Sequence, residues 1–91
     1  MLRIDQRREG ETTVVHVEGR VAGPWVEELR RVLSSCPGAR SSVTLDLAGV
    51  GYVDAAGEQV LRRAVADGAR ILGRSAFVAA LLEADPSWEA R

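Results

Sequence analysis

Four side chains are candidates for catalysis or metal binding from their type and position in the sequence: His16, Cys36, Asp46 and Asp54. His16 is the only histidine and lies between valines with no nucleophile beside it, so a packed or surface role is favoured over general-base catalysis. Asp46 and Asp54 could share a hard cation, but two carboxylates are thin support for a metal site. A helix cap explains Asp54 without any ion.

Cys36 and the glycines give no stronger sign of chemistry. Cys36 is the single cysteine and lies in a polar turn, so it cannot form an internal disulfide and is interpreted as an idle thiol in a reducing compartment. Gly49, Gly51 and Gly57 do not form a phosphate-binding loop, and the sequence contains no lysine. We therefore expect no catalysis, no metal and no cofactor.

The composition is that of one small folded domain. The chain has 91 residues, of which 46% are hydrophobic, and its 12 basic and 13 acidic residues leave a net charge of −1. Because the basic residues are not clustered, nucleic-acid binding is not expected. No apolar run approaches the ~18 residues that span a membrane, and the N-terminus is charged. These features predict a cytoplasmic protein without membrane insertion.

The stretch 43–57 is predicted to place Asp46 and Asp54 on a strand, a loop and a helix start. Val43, Leu45 and Leu47 alternate with polar or small residues, which is typical of a half-buried strand. The glycines at 49 and 51 are then predicted to turn the backbone sharply, and Asp54 to cap the next helix. That helix is predicted to end at Asp67-Gly68, with one apolar side formed by Ala56, Val60, Leu61, Ala64 and Val65.

The remaining periodicity completes a β-β-α-β-α-β-α order. Strands at 2–8 and 12–18 are predicted to form a hairpin across a three-residue turn. A short strand at 70–72 is predicted to lead to a last helix capped by Ser75. Residues 84–91 are predicted to form a tail, in which Trp88 either folds back on the domain or contacts another chain. The helix from Pro24 to about Ser34 is predicted to bury Trp25, Val26, Leu29, Val32 and Leu33. The last helix carries Phe77, Val78, Leu81 and Leu82.

This element order predicts an α/β fold for a single domain at 1–83. The last three strands should be parallel, because a helix connects each pair. Polar residues at alternate strand positions favour helices on one face only. The predicted architecture is a four-stranded mixed sheet in the order 1-2-3-4, with the first strand antiparallel.

The run DLAGVGYVDAAG at 46–57 resembles the signature of STAS domains, the fold of anti-sigma factor antagonists. Asp46, Leu47, Asp54 and Gly57 match the family pattern D-L-S followed by D-S-[ST]-G-L. The strand at 15–21 resembles the family's second strand, and 73–82 resembles its last strand and helix. The resemblance covers roughly residues 10 to 83, and it implies the one-sided sheet predicted above.

The departures from the family pattern concern its phosphorylation switch. The serine that accepts phosphate in switched members is replaced by Ala55, and the next hydroxyl by Ala56. The leucine after the motif glycine is Glu58, and the aspartate of the G-E-L-D turn is Ala22. The resemblance therefore implies a retained scaffold without the phosphate acceptor.

The resemblance also implies a function and a docking surface. It implies a non-enzymatic, regulatory protein-binding module resembling an anti-sigma factor antagonist, with an anti-sigma factor or kinase-like protein as partner. The alternative is a small accessory subunit of a lipid-transport ABC system, bound to its ATPase. Two alternatives remain open. The polar residues Glu58, Gln59, Arg62 and Arg63 could form only a solvated helix face, and Tyr52 could be a core residue. The predicted partner-binding residues are Tyr52, Val53, Asp54, Ala55, Ala56, Gly57, Glu58, Gln59 and Arg62.

A homodimer is predicted through the first strand or through the exposed face of the sheet. The first strand is favoured by its position. It is expected at a sheet edge, where unpaired backbone groups invite a second chain. In the alternative interpretation, pairing is prevented by the charged residues of this strand, Arg3, Asp5, Arg7 and Arg8.

Overall fold

The computed structural model describes residues 1–84, apart from the side chain of Arg40. It confirms the predicted order of strands and helices and adds one turn of 3-10 helix, Arg40–Ser42, before the third strand. The strands are β1 (Leu2–Glu9), β2 (Thr12–Val21), β3 (Val43–Val53) and β4 (Arg70–Arg74). The helices are α1 (Trp25–Ser35), α2 (Ala55–Ala66) and α3 (Ala76–Ala84).

The four strands form one mixed sheet in the order β1-β2-β3-β4, as predicted. β1 pairs antiparallel with β2, and the two other pairings are parallel. The hairpin turn is shorter than predicted: Glu9 already pairs with Thr12, leaving Gly10 and Glu11 as the loop. Gly10 has a φ of 67°, and a positive φ at the first loop position is what type II′ hairpins require.

The core lies on one face of the sheet and draws on all three helices. Leu29 of α1, Leu61 of α2 and Val78 of α3 are fully buried against strand residues such as Leu45 and Leu47. Burial of each leucine side chain stabilises the fold by about 1.5–3 kcal/mol. The alternating positions of β2 and β3 on the other face include Thr44 and Asp46, which stay partly exposed. The one-sided arrangement of helices is therefore confirmed.

The predicted burial of α1 is wrong at its first residue. Trp25 is 41% exposed, whereas Val26, Leu29 and Leu33 are buried and Val32 is half-buried. The buried stripe passes through Val26 and Leu29, and Trp25, at the first helical position, is left at the margin of that stripe. Ala56 of α2 is exposed for the same reason, because α2 buries Gly57, Val60 and Leu61 instead.

The predicted sharp glycine turn before α2 is also wrong. β3 continues through Gly49 and Gly51 to Val53, and neither glycine has a positive φ. β3 instead gains two residues over β2 through two register shifts, since Glu18 pairs with Gly49 and Arg20 with Tyr52. Such irregularities bend a strand, and glycine suits them because a Cβ on Gly49 would lie 2.7 Å from the Cγ of Glu18.

The end of α2 and the start of α3 follow the sequence predictions. α2 ends at Ala66, and Ser75 caps α3 by accepting a hydrogen bond at 3.1 Å from the backbone nitrogen of Val78. Trp88 lies outside the described residues, so the domain at 1–83 and the tail at 84–91 stay predictions. No helix within residues 1–84 is long and apolar enough to cross a membrane, and the cytoplasmic location stays a prediction.

Candidate functional site

Asp54 joins two loops at the carboxyl ends of β2 and β3. Its Oδ1 accepts a hydrogen bond from the backbone nitrogen of Gly57 at 2.7 Å, which confirms the predicted helix cap. Its Oδ2 accepts a second hydrogen bond, at 3.0 Å, from the backbone nitrogen of Gly23 in the loop between β2 and α1. The backbone nitrogen of Asp54 also donates to the carbonyl of Val21 at 3.1 Å. One residue therefore fixes the starts of α1 and α2 relative to each other.

These hydrogen bonds also set the charge of the site. The backbone N–H of Gly23, followed by those of Gly57 and Ala56, lowers the pKa of Asp54 below its ordinary value of 3.8, against a smaller opposing effect of burial. The carboxylate is therefore ionised at neutral pH and has both oxygens engaged. In this structure Asp54 acts as a positioning residue for the two helix starts.

Several exposed side chains lie within a few residues, along the chain, of Asp54 or of its hydrogen-bond partner Gly23. Ala55, Ala56 and Gln59 are exposed on the first turns of α2, and Tyr52 is 37% exposed at the end of β3. Trp25 lies two residues after Gly23, on the first turn of α1. We name these five residues, Trp25, Tyr52, Ala55, Ala56 and Gln59, the junction surface.

The other predicted contact residues are less accessible. Val53 and Gly57 are buried. Glu58 and Arg62 form an ion pair at 3.5 Å, and each side chain is only about one-third exposed. Eight of the nine predicted residues lie at the end of β3 or in the first turns of α2, whereas Arg62 lies past the middle of that helix. Only Tyr52, Ala55, Ala56 and Gln59 offer an exposed surface.

Gly57 allows α2 to approach the end of β2 closely. A Cβ at this position would lie against the carbonyl oxygen of Val21, 2.8 Å from the Cγ1 of Val21 and 3.1 Å from the Cγ1 of Val53. Any larger residue would push the first turn of α2 away from the sheet, because a packed backbone has no room to yield. The motif glycine thus has a packing role.

Tyr52 is held in place by residues from two other elements. The guanidinium carbon of Arg20 in β2 lies 4.5 Å from the centre of the Tyr52 ring, within the range of a cation–π contact. The ring of Phe77 in α3 lies 5.5 Å away on a tilted plane, which is a favourable aromatic geometry. Sequence reasoning did not assign Arg20, Phe77 or Trp25 to the site. Arg20 and Phe77 lie far from Tyr52 in the sequence, so no local pattern indicated their contacts with it.

A groove between α1 and α2 begins at the junction surface. It has a volume of about 440 Å³ and is lined by both apolar and charged residues. All three charged lining residues take part in ion pairs, since Arg30 pairs with Glu27 at 2.6 Å and Arg63 with Asp67 at 3.2 Å. The groove is lined by Arg30, Leu33, Ser34, Ala56, Gln59, Val60, Arg63, Ala64 and Asp67.

Asp46 and Asp54 do not share a site. They lie at the middle and just past the end of β3, roughly 25 Å apart along an extended strand. Asp46 instead contacts the Nδ1 of His16 at 2.8 Å across the parallel pairing, and it accepts a hydrogen bond from the backbone nitrogen of Ala48 at 3.1 Å. Among residues 1–84, no group of three or more histidine, cysteine, aspartate or glutamate side chains is placed to hold a metal ion.

Cys36 is buried at the end of α1. Its Sγ lies 3.4 Å from the carbonyl oxygen of Val32, to which the thiol donates. The Oε1 of Gln6 lies 3.9 Å from the same sulfur. The interpretation of Cys36 as an idle thiol stays a prediction.

Comparison with known families identifies the fold. A family model described as Mlab, STAS domain, matches residues 4–84. The chain belongs to the STAS domain family. This confirms the resemblance found in the sequence.

Solved structures share the fold. The crystal structure of an anti-sigma factor antagonist from Mycobacterium paratuberculosis matches 96% of this chain and 80% of its own, with a TM-score of 0.73 and 16% identity. A crystal structure of Mglu matches 74% of this chain with 28% identity and a TM-score of 0.56. A structure of Mglu in its native form matches 78% with 21% identity and a TM-score of 0.56.

The extent of these matches differs between the relatives. This chain spans 18% of the first Mglu chain and 23% of the second, so it corresponds to about a fifth of that protein. No curated protein sequence matches the chain.

Proposed function

We propose that this STAS domain is a non-enzymatic, regulatory protein-binding module of the anti-sigma factor antagonist type, and that its partner docks on the junction surface. The observation that carries the proposal is the pair of exposed aromatic residues, Trp25 and Tyr52, beside a helix start that Asp54 fixes in place. Exposed tryptophan and tyrosine are the residue types that most often dominate protein–protein binding energy.

The shape of the junction surface suits a protein partner. Ala55 and Ala56 are exposed and small, so a partner backbone can approach the first turn of α2 closely. Tyr52 is already held between Arg20 and Phe77, which reduces the conformational entropy lost when it is immobilised in a complex. The adjoining groove between α1 and α2 provides a concavity for side chains at the edge of the contact.

The partner implied by family resemblance is an anti-sigma factor or kinase-like protein. In switched members of the family a phosphate on the serine after the motif aspartate controls such binding. Ala55 and Ala56 have no hydroxyl, and no serine or threonine occurs between Thr44 and Ser75. We therefore propose a single binding state that phosphorylation of this turn does not control.

A second candidate function is an accessory subunit of a lipid-transport ABC system, with the ATPase as partner. The same observation supports it, because a docking surface with no phosphate acceptor suits a permanent subunit. The two candidates share the junction surface and differ only in the protein that binds there.

Site-specific photo-crosslinking in native lysate tests the proposal. A benzophenone amino acid is placed at Gln59 on the junction surface, and at Ala39, which is exposed just before β3 at the opposite end of the sheet. We expect one dominant protein adduct from position 59 that is missing from position 39. Mass spectrometry of the adduct then separates a kinase-like protein from a transporter ATPase. Equal labelling from both positions, or no adduct from position 59, would contradict the proposal.

A further inference from the structure

We propose that β1 forms a two-fold symmetric, antiparallel strand pair with β1 of a second copy of this chain, centred on Gln6. β1 is an edge strand of the sheet, and within residues 1–84 its outer edge pairs with no other strand. It is eight residues long, which is enough to present a full row of backbone groups.

The backbone groups of β1 that face outward follow from its pairing with β2. The backbone nitrogen of Arg20 donates to the carbonyl oxygen of Met1 at 3.1 Å, and the register sets Leu2 opposite Gly19. The odd-numbered residues of β1 therefore exchange hydrogen bonds with β2. The even-numbered residues, Ile4, Gln6 and Arg8, consequently turn their N–H and C=O groups toward the open edge.

The side chains on the helix-free face of β1 form an alternating row of charge. Arg3, Asp5, Arg7 and Glu9 follow one another at every second position. A two-fold axis through Gln6 places Arg3 opposite Glu9 of the second copy and Asp5 opposite its Arg7. Symmetry repeats both pairs, so all four charges of this row on each strand meet an opposite charge, while Arg8, on the other face, lies opposite Ile4.

Neighbouring registers lack this complementarity. An axis through Asp5 would place Asp5 opposite Asp5 and Arg3 opposite Arg7, which are like-charge pairs. An axis through Ile4 would pair Arg3 with Asp5 but leave Glu9 beyond the paired region. The charge pattern therefore selects the register centred on Gln6.

The same charges protect β1 from other strands. Within one chain Arg3 pairs with Asp5 at 3.3 Å and Arg7 with Glu9 at 2.6 Å, and the four side chains are 52–72% exposed. Exposed pairs of this kind contribute little to the stability of one copy. An apolar strand would offer no opposite charge across the new pairing, whereas a second β1 places an opposite charge across from each of the four.

The strand pair leaves the junction surface accessible. None of Trp25, Tyr52, Ala55, Ala56 and Gln59 belongs to β1. Antiparallel pairing of the two sheets places the two junction surfaces at opposite ends of the dimer. Dimerisation through β1 and partner docking at the junction surface are therefore independent of each other.

A charge-segregation experiment tests the pairing by analytical ultracentrifugation. The variant Arg3→Glu/Arg7→Glu makes the row entirely acidic, and Asp5→Arg/Glu9→Arg makes it entirely basic. The native chain is expected to dimerise in the micromolar range, and each variant alone to dissociate at least about tenfold more readily. An equimolar mixture of the two variants should restore the dimer. A native chain that stays monomeric to high micromolar concentration, or variants that dimerise as well as it does, would overturn the proposal.

Disulfide trapping tests the register and does not depend on the charge variants folding. In a Cys36→Ser background, Gln6→Cys should form a disulfide-linked dimer on mild oxidation, because the Cα atoms of a hydrogen-bonded antiparallel pair lie about 5.5 Å apart. Ile4→Cys in the same background is the matched control and should not crosslink, since Ile4 would face Arg8. Crosslinking through position 4 in place of position 6 would overturn the register.

Discussion

The carboxylate of Asp54 lies 3.0 Å from the backbone nitrogen of Gly23, a residue 31 positions earlier in the chain. This contact ties the loop before α1 to the first turn of α2, which the same carboxylate caps through Gly57 at 2.7 Å. The relative positions of Trp25 and Ala55, on the two helix starts, therefore depend on one side chain.

Replacing Asp54 should both destabilise the fold and weaken partner binding. Asp54→Ala removes both acceptors and leaves the backbone nitrogens of Gly23 and Gly57 to water. The free energy of unfolding of Asp54→Asn should lie between those of the native chain and Asp54→Ala, because an amide has one acceptor oxygen where the carboxylate uses two. Urea denaturation gives the ranking. Asp67→Ala, which removes an exposed carboxylate at the other end of α2, is the control and should change the free energy of unfolding by less than ~0.5 kcal/mol. Equal effects of Asp54→Ala and Asp67→Ala would contradict this account.

The stabilising effect of Asp54 should depend on pH. Its folded-state pKa is depressed below the ordinary 3.8, so its contribution to stability is fully present above that value and is lost as the pH falls through the folded-state pKa. The stability difference between the native chain and Asp54→Asn should therefore be constant from pH 7 to about 5 and shrink below 3.8. Urea midpoints measured between pH 7 and about 2.5 test this sign. A difference that grows on acidification would show that the carboxylate is not the stabilising form.

Gly57 and Gly51 should respond in opposite ways to alanine. A Cβ on Gly57 would lie 2.8 Å from the Cγ1 of Val21, so Gly57→Ala should destabilise by about 2 kcal/mol despite the better helix propensity of alanine. A Cβ on Gly51 would meet no atom within 4 Å, and the φ of Gly51 is not positive, so Gly51→Ala should be neutral or stabilise by up to ~1 kcal/mol. Thermal and urea unfolding measure both. Comparable losses for the two variants would mean that α2 does not pack on Val21 as described.

Much of this fold was predictable from the sequence, because burial of one face of a strand or helix makes its apolar residues recur at a regular spacing. The alternation in β1 and β3 and the helical spacing in α2 gave the correct sheet order, and Asp54 was correctly predicted as a cap. The glycines at 49 and 51 were misinterpreted, since a turn and a strand irregularity use the same residue. Only the pairing register with β2 distinguishes the two.

The site was predictable only where its residues are close in sequence. The start of α2 was found because Asp54, Gly57 and the alanines are contiguous. Trp25 was assigned to the core because helical spacing cannot show that a first-turn side chain lies at the margin of the buried stripe. The contacts of Tyr52 with Arg20 and Phe77, and of Asp54 with Gly23, join distant segments. No local pattern contains them.

Trp25→Ala should separate binding from folding. The indole is 41% exposed, so its removal should change the free energy of unfolding by less than ~1 kcal/mol. If Trp25 is a main contact, the same change should weaken partner binding by about 30-fold, which corresponds to ~2 kcal/mol. Leu72→Ala is the matched control, because Leu72 is 65% exposed on β4 and lies outside the junction surface. Retained affinity in Trp25→Ala would remove this residue from the docking surface.

The turn at 54–57 should not accept phosphate. Ala55 has no oxygen to receive the phosphoryl group, so incubation with the partner kinase, ATP and Mg²⁺ should leave the peptide containing this turn unmodified in mass spectrometry. Ala55→Ser should restore modification if the surface still fits such a kinase. A phosphate in the native turn would contradict the single-state proposal. An unmodified Ala55→Ser variant would favour the transporter ATPase as partner.

The most direct measurement is a calorimetric titration of the crosslinked partner, once purified, into the native chain and two charge variants. Ala56→Glu places a carboxylate in the middle of the junction surface, at a helix start where it does not disturb the fold. Ala39→Glu places the same charge on an exposed alanine at the opposite end of the sheet. We expect at least about tenfold weaker binding for Ala56→Glu and native affinity for Ala39→Glu. Equal affinities for all three proteins would contradict docking at the junction surface.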